Sequence, residues 1–299
     1  MPLSRIMDKS PKRHMPLSQI KWLNIALNKV HPCEIQYTPN VSKLSRMLHQ
    51  VDDQLVNLCF GTVQNDLLLM SDDEYDYENS SQIGFHLSKK MPKLRKFSNR
   101  IVEMFRCADF LQNIEMMPLL ETLVLGRDLA EVRGVDDILR GICNAKMILP
   151  SVRKLELIEL YDPRLLDGVA TAFPNVERLE MVRLLAKELK EEVRLDVGVV
   201  LEACRGLSAL KHLKLTLSVY PAEMVDFIQG LLQGRELFQR LTTLEITTCR
   251  WKYVPRNLTE DEMVLFKQLL LVIDKMDRVT IANLDLNEES ANIILDFIA

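Results

Sequence analysis

Cysteines and histidines are the residues of this 299-residue chain that could bind a transition metal or act as nucleophiles and bases. The cysteines lie far apart with no C-x-x-C pair, and no histidine has a partner three to five residues away. Structural zinc sites usually take their ligands from such close pairs, and separated thiols in a long intracellular chain stay reduced. The sequence therefore predicts no metal site, no disulfide and no cofactor. The residues concerned are Cys33, Cys59, Cys107, Cys143, Cys204, Cys249, His14, His31, His49, His86 and His212.

Carboxylates and glycines give no sign of catalysis either. Acid–base chemistry needs two groups that face a common substrate, whereas Asp136 and Asp137 are adjacent and would point in different directions on a helix. The same holds for Glu191 and Glu192. The 10 glycines include no G-x-G-x-x-G or P-loop spacing, which is the usual sign of a nucleotide-binding loop. The sequence therefore predicts that the protein is not an enzyme.

Charge and composition narrow the class of protein further. The chain has 38 Lys and Arg against 42 Asp and Glu, a net charge of −4, so no basic excess suggests nucleic-acid binding. The N-terminal residues 1–12 lack the apolar run of a secretory signal, and no stretch reaches the ~18 apolar residues of a membrane span. Hydrophobic residues make up 47% of the chain, enough for a large core. These features predict a folded intracellular protein, cytoplasmic or nuclear, that binds neither nucleic acid nor membrane.

One short phrase recurs along the chain: an apolar residue, two others, an apolar residue, one other, and a third apolar residue. Six clear copies begin 24 to 35 residues apart. A further copy begins at Leu55, and a degenerate copy at Leu94 has Asn99 in its last slot. Alternation at the end of the phrase predicts a strand. The clear copies are Leu120/Leu123/Leu125, Val152/Leu155/Leu157, Val176/Leu179/Met181, Leu210/Leu213/Leu215, Leu241/Leu244/Ile246 and Met276/Val279/Ile281.

Segments with helical spacing lie between these phrases. The strongest start signal is a capping box, in which Thr259 and Glu262 would each bond the backbone amide of the other. A strand and a helix repeated at about 30 residues cannot bury their apolar sides alone, so successive units must stack. The predicted helices span Ser18–Val30, Asn40–Gln50, Asp162–Val169, Pro221–Gln233, a segment that follows Thr259, and Asn287–Phe297.

The segment Leu241–Cys249 fits the phrase L-x-x-L-x-L-x-x-N/C completely, and the chain thereby resembles the leucine-rich-repeat superfamily. The likeness is to the helix-containing repeats of ribonuclease-inhibitor and F-box/LRR proteins. The ninth slot holds other residues in the remaining copies, so a continuous Asn/Cys ladder is missing. The resemblance implies an α/β solenoid with a parallel sheet on the concave face and helices on the convex face. Residues 51–299 would form it, with an acidic insertion near 71–81, after a tail and helical cap in residues 1–50.

Strand alternation places the third, fifth and seventh residues of each phrase on the concave side. The third residues are mostly basic, the fifth mostly acidic, and the seventh form a modest apolar edge. Two interpretations stay open: a stripe that binds a protein segment, or charges that neutralise each other in surface pairs worth ~0–1 kcal/mol each. The predicted partner-binding residues are Lys154, Glu156, Ile158, Arg178, Glu180, Val182, His212, Lys214, Thr243 and Glu245.

The resemblance also implies a function. It predicts a non-catalytic protein-binding module like the substrate-recognition repeats of an F-box/LRR ubiquitin-ligase receptor, with a cullin-ligase adaptor as a further partner. The Leu-Pro opening of the F-box is not visible in this sequence. The alternative is an F-box-independent scaffold, or an enzyme regulator or inhibitor, that uses the same concave face.

Overall fold

The structure, a computed structural model, describes residues 20–28, 41–63, 91–100, 107–126, 134–184, 197–217, 224–248, 257–284 and 286–298. The strands are β1 (Trp22–Asn28), β2 (Asn57–Val63), β3 (Lys96–Asn99), β4 (Thr122–Leu125), β5 (Lys154–Ile158), β6 (Arg178–Leu184), β7 (His212–Leu217), β8 (Thr243–Thr248) and β9 (Arg278–Ala282). They form one parallel sheet in which strand order follows the chain from β1 to β9.

Helices alternate with the strands, which confirms the α/β class of the fold. A short 3₁₀ helix, Pro163–Leu165, precedes the fourth α-helix. The α-helices are α1 (Val41–His49), α2 (Cys107–Glu115), α3 (Gly134–Asn144), α4 (Leu166–Ala172), α5 (Val197–Cys204), α6 (Met224–Gln233), α7 (Arg235–Phe238), α8 (Glu260–Ile273) and α9 (Glu288–Ile298).

The recurring phrase marks strands β2 to β9. In every copy from Leu55 to Leu241, its first, fourth and sixth residues are at most 4% exposed, the degenerate slot at Asn99 included. These residues pack with the apolar faces of the helices in one core. In the last copy Met276, Val279 and Ile281 are only partly buried, since no described strand lies beyond β9.

The helix predicted over Ser18–Val30 is wrong, because Trp22–Asn28 is strand β1 and pairs in parallel with β2. The spacing of Ile20, Leu23 and Ile25 is that of the recurring phrase, and all three are partly buried against the core. This strand therefore belongs to the sheet and not to a helical cap. The helix over Asn40–Gln50 is confirmed as α1, whereas the acidic insertion near 71–81 lies outside the described residues.

Three of the predicted helix starts, those at Asp162, Thr259 and Asn287, are confirmed by their hydrogen bonds. The Glu262 amide donates to Thr259 Oγ1 at 3.2 Å, and the Thr259 amide donates to Glu262 Oε2 at 2.9 Å, which completes the capping box of α8. The Ser290 amide donates to Asn287 Oδ1 at 2.9 Å at the start of α9. The Asp162 side chain accepts from the Arg164 amide at the start of the 3₁₀ helix. These bonds satisfy amides that the first turn of a helix leaves unpaired.

Cys204, on α5, gives a pH dependence that can be measured. Complete burial raises the pKa of its thiol from 9.0 to about 12. Between about pH 9 and 12 the unfolded chain loses a proton that the folded chain keeps, so the free energy of unfolding falls as pH rises, by up to about 1.4 kcal/mol per pH unit. We expect Cys204→Ala to reduce this fall, measured by urea unfolding of both proteins at about pH 8 and pH 10. Equal falls in the two proteins would contradict it.

Candidate functional site

The second face of the sheet carries the third, fifth and seventh residues of each phrase, and we term it the open face. Burial alternates along β5, where Leu155 and Leu157 are fully buried while Lys154, Glu156 and Ile158 are partly exposed. Strands β7 and β8 show the same alternation. All the predicted partner-binding residues therefore lie on one face.

Strand register brings these residues into rows that cross the sheet. The third-position row runs Lys154, Arg178, His212, Thr243 and Arg278. The fifth-position row runs Glu156, Glu180, Lys214, Glu245 and Thr280, and the seventh includes Ile158, Val182, Thr216 and Thr247. Neighbouring strands are about 4.8 Å apart, so each side chain can reach those on the adjacent strand.

Most charges of the open face are paired with each other. Glu180 accepts from Lys154 Nζ at 2.7 Å and lies 3.4 Å from Arg178 Nε. Glu156 lies 3.8 Å from Lys154 Nζ and 3.5 Å from Arg100 Nη2. Two carboxylates thus join three cations in one continuous network across β3, β5 and β6.

A second group of polar contacts lies on β7 and β8. Lys214 Nζ is 2.9 Å from Glu245 Oε1, a pair between directly opposed residues. His212 Nδ1 and Thr243 Oγ1 are 2.6 Å apart in a hydrogen bond. Most charges of the face are therefore neutralised within it, and the charge that it presents to solvent depends on which side-chain tips remain exposed.

The cations of the open face extend further into solvent than the carboxylates of the network. The side chains of Glu156 and Glu180 are 14% and 17% exposed, whereas that of Arg178 is 55% exposed. Arg278, at the end of the third-position row, is exposed, and no carboxylate of the described residues lies within ion-pair distance of it. Apart from the Lys214–Glu245 pair, whose side chains are 38% and 37% exposed, the most accessible charged tips here are consequently basic.

The prediction omitted Arg100, which the structure adds to the network. It follows β3 at the seventh position of the degenerate phrase, a position that sequence alone assigned to no strand. Because β4 lies between β3 and β5, the Arg100 side chain passes over β4 to reach Glu156. Val124 on β4 and Ser98 on β3 are nearly fully buried, so an unbroken run of partly exposed fifth-position side chains extends from β5 to β9.

A shallow depression of about 150 Å³ lies on the open face over β6 to β9. The residues around it include six of the predicted partner-binding residues and Arg278. The six are Arg178, Glu180, His212, Lys214, Thr243 and Glu245. Lys154, Glu156, Ile158 and Val182 lie beside it on β5 and β6.

A larger depression, of about 510 Å³, lies among the helices and is lined by residues of α4, α5 and α7 and the turns that follow them. The two arginines that line it, Arg205 and Arg240, already form contacts within the protein. Arg205 pairs with Glu202 at 2.7 Å and with Glu236, and Arg240 donates to the carbonyl oxygens of Cys204 and Arg205. These contacts join α5 to α7, so the charged side chains hold the two helices together.

The described part of the chain has neither a metal-binding cluster nor a membrane-spanning helix. No three His, Cys, Asp or Glu side chains there come close enough to hold a metal ion together. None of the described helices combines the length and apolar composition needed to cross a bilayer.

Comparison with known proteins adds no relative. No protein-family model matches the chain, and no curated protein matches it either.

Proposed function

We propose that this chain is a leucine-rich-repeat solenoid that binds another protein on the open face of its sheet, without catalysing a reaction. The observation that carries the proposal is the two-sided sheet. One side is buried against helices, and the other, from β5 to β9, presents partly exposed side chains in regular rows. A stacked array of this kind offers an extended surface that suits a polypeptide better than a small molecule.

Three features support the solenoid. Strand order in the sheet is the order of the strands in the chain, all described strand pairs are parallel, and the recurring phrase falls on β2 to β9. Helices from successive repeats pack side by side, as α2 does with α3 and α3 with α4. The curved form, with the open face on the concave side, follows when the helical layer is thicker than the strand layer.

The open face also favours binding over chemistry. Its depression is shallow, and the carboxylates next to it are held in ion pairs with Lys154, Arg178 and Lys214. An active site normally needs a concave pocket in which titratable groups converge on a substrate. The link to ubiquitin ligation rests on the F-box/LRR resemblance alone, and co-purification of a cullin adaptor with the chain is its direct test.

The experiment that tests the proposal blocks the open face without changing its charge. Thr216 and Thr247 are partly exposed seventh-position residues on β7 and β8, so Thr216→Trp with Thr247→Trp should obstruct a partner. We expect at least one protein that the tagged wild type captures from lysate to be recovered about tenfold less with this variant, as measured by quantitative mass spectrometry.

The matched control carries the same two tryptophans on the helical side. Gln229 and Gln268 are exposed on α6 and α8, and Gln229→Trp with Gln268→Trp should leave capture unchanged. Thermal unfolding establishes that both variants are folded. Identical recovery of every captured protein by the wild type and the Thr216/Thr247 variant would refute binding at the open face.

A further inference from the structure

The open face differs in charge from the chain as a whole. The chain carries a net charge of −4, whereas the described residues of the open face include six Lys and Arg side chains and three carboxylates. The six basic residues are Lys96, Arg100, Lys154, Arg178, Lys214 and Arg278, and the three acidic ones are Glu156, Glu180 and Glu245. A local basic surface on an acidic protein attracts negatively charged segments of other chains.

Arg178 and Arg278 lie in one row that crosses the sheet. They stand in the same row on β6 and β9, with His212 and Thr243 on the two strands between them. Three strand intervals of about 4.8 Å separate them by about 14 Å. Both border the same depression, so a ligand lying in it meets one arginine at each end.

An extended peptide has a matching repeat. Its residues rise about 3.4 Å each and alternate in side, so side chains at positions i, i+2 and i+4 share a face and span about 14 Å. Carboxylates at i and i+4 would reach Arg178 and Arg278. The carboxylate at i+2 would face His212 and Thr243. The hydrogen bond between these two residues uses Nδ1 of His212, so Nε2 of the same ring lies outside that bond.

Resting on the proposed function, we propose that the partner bound at the open face is an acidic, extended polypeptide segment that lies across β6 to β9 with alternate carboxylates on Arg178 and Arg278. Glu180 does not oppose this arrangement, because it is largely buried and paired with Lys154 and Arg178. Arg278 is free of any carboxylate of the described residues and gives a partner the stronger new contact. Arginine suits this role because its planar guanidinium can donate two parallel hydrogen bonds to one carboxylate.

The test uses the full chain and two fluorescein-labelled peptides of roughly twelve residues, long enough to span the row. One alternates glutamate with threonine, and the other has glutamine in place of each glutamate. Fluorescence anisotropy should show the glutamate peptide binding at least about tenfold more tightly at low ionic strength, with the preference lost at about 1 M salt. Arg178→Glu with Arg278→Glu should weaken binding of the glutamate peptide at least about tenfold.

The control variant has the same change in net charge away from the open face. Lys146 and Arg235 are exposed on the helical side, and Lys146→Glu with Arg235→Glu should change the affinity less than about twofold. Equal binding of the two peptides, binding that survives reversal of both arginines, or no binding of either peptide would overturn the inference. If those results came with loss of capture in the Thr216/Thr247 variant, the proposed function would stand and only the acidic partner would be wrong.

Discussion

Phe97→Ala is expected to lower the free energy of unfolding by about 3–5 kcal/mol, the largest effect of any substitution considered for this chain. Phe97 lies on β3 and is fully buried. Its ring packs edge-on against Phe60 at a centroid distance of 6.0 Å, and it lies tilted by 31° against the ring of Phe110 on α2 at 6.3 Å. Removing the ring leaves a cavity between a neighbouring strand and a helix, and the rigid sheet can close it only in part. Urea unfolding followed by circular dichroism measures the change.

Phe297→Ala is the matched control, since it removes the same ring from an exposed position. Phe297 lies on α9, is 39% exposed, and contacts the Lys267 ammonium group at 5.4 Å from its centroid. We expect a loss below about 1 kcal/mol from this variant. Comparable losses from the two phenylalanine variants would show that the aromatic cluster does not stabilise the fold as its burial indicates.

Asp136→Ala is expected to cost about 2–3 kcal/mol, because it removes the buried carboxylate that accepts from two amides of a neighbouring loop. The Asp136 carboxylate, in the first turn of α3, accepts from the amides of Tyr161 and Asp162, both at 3.0 Å. It is only 2% exposed, and its burial raises its pKa although the two amides lower it. Asp136→Asn keeps the shape and one acceptor oxygen, so its loss of stability should be smaller than that of Asp136→Ala.

The adjacent residue provides the control for this prediction. Asp137 is exposed and forms a surface pair with Arg140 at 2.8 Å, so Asp137→Ala should change stability by less than about 1 kcal/mol. Thermal unfolding of the three variants beside the wild type decides the order. If Asp137→Ala were as destabilising as Asp136→Ala, the loop contact would not be the cause. The two neighbours point in different directions, as the sequence predicts for a helix.

Periodic features of the fold were predictable from the sequence. The recurring phrase located β2 to β9, because each strand must alternate between the core and the open face in the same frame. It also located β3 despite Asn99, which occupies a fully buried apolar slot. Local capping chemistry, as at Thr259 and Asn287, was predictable for a similar reason: the bonds form within four residues of one another.

Features that depend on distant residues were not predictable. Over a short window, Leu23 and Leu27 fit a helix as well as Leu23 and Ile25 fit a strand, and pairing with β2 decides for the strand. The sequence put Lys154, Arg178 and Glu180 on one face, but only strand register shows that Glu180 pairs with both cations. Arg100 joins the network from two strands away, and no local signal in the sequence reports such a reach.

The sequential strand order favours folding by stepwise addition of neighbouring strands. Each described strand pairs only with strands adjacent to it in sequence. Each new strand contact therefore closes only the segment between two successive strands, which limits the loss of loop entropy. Folding can therefore begin at any well-packed pair and spread in both directions. Opening should be easiest at β1 and β9, each of which pairs with one strand among the described residues. Amide protons should exchange most slowly in the middle of the sheet, where the proposed binding surface begins.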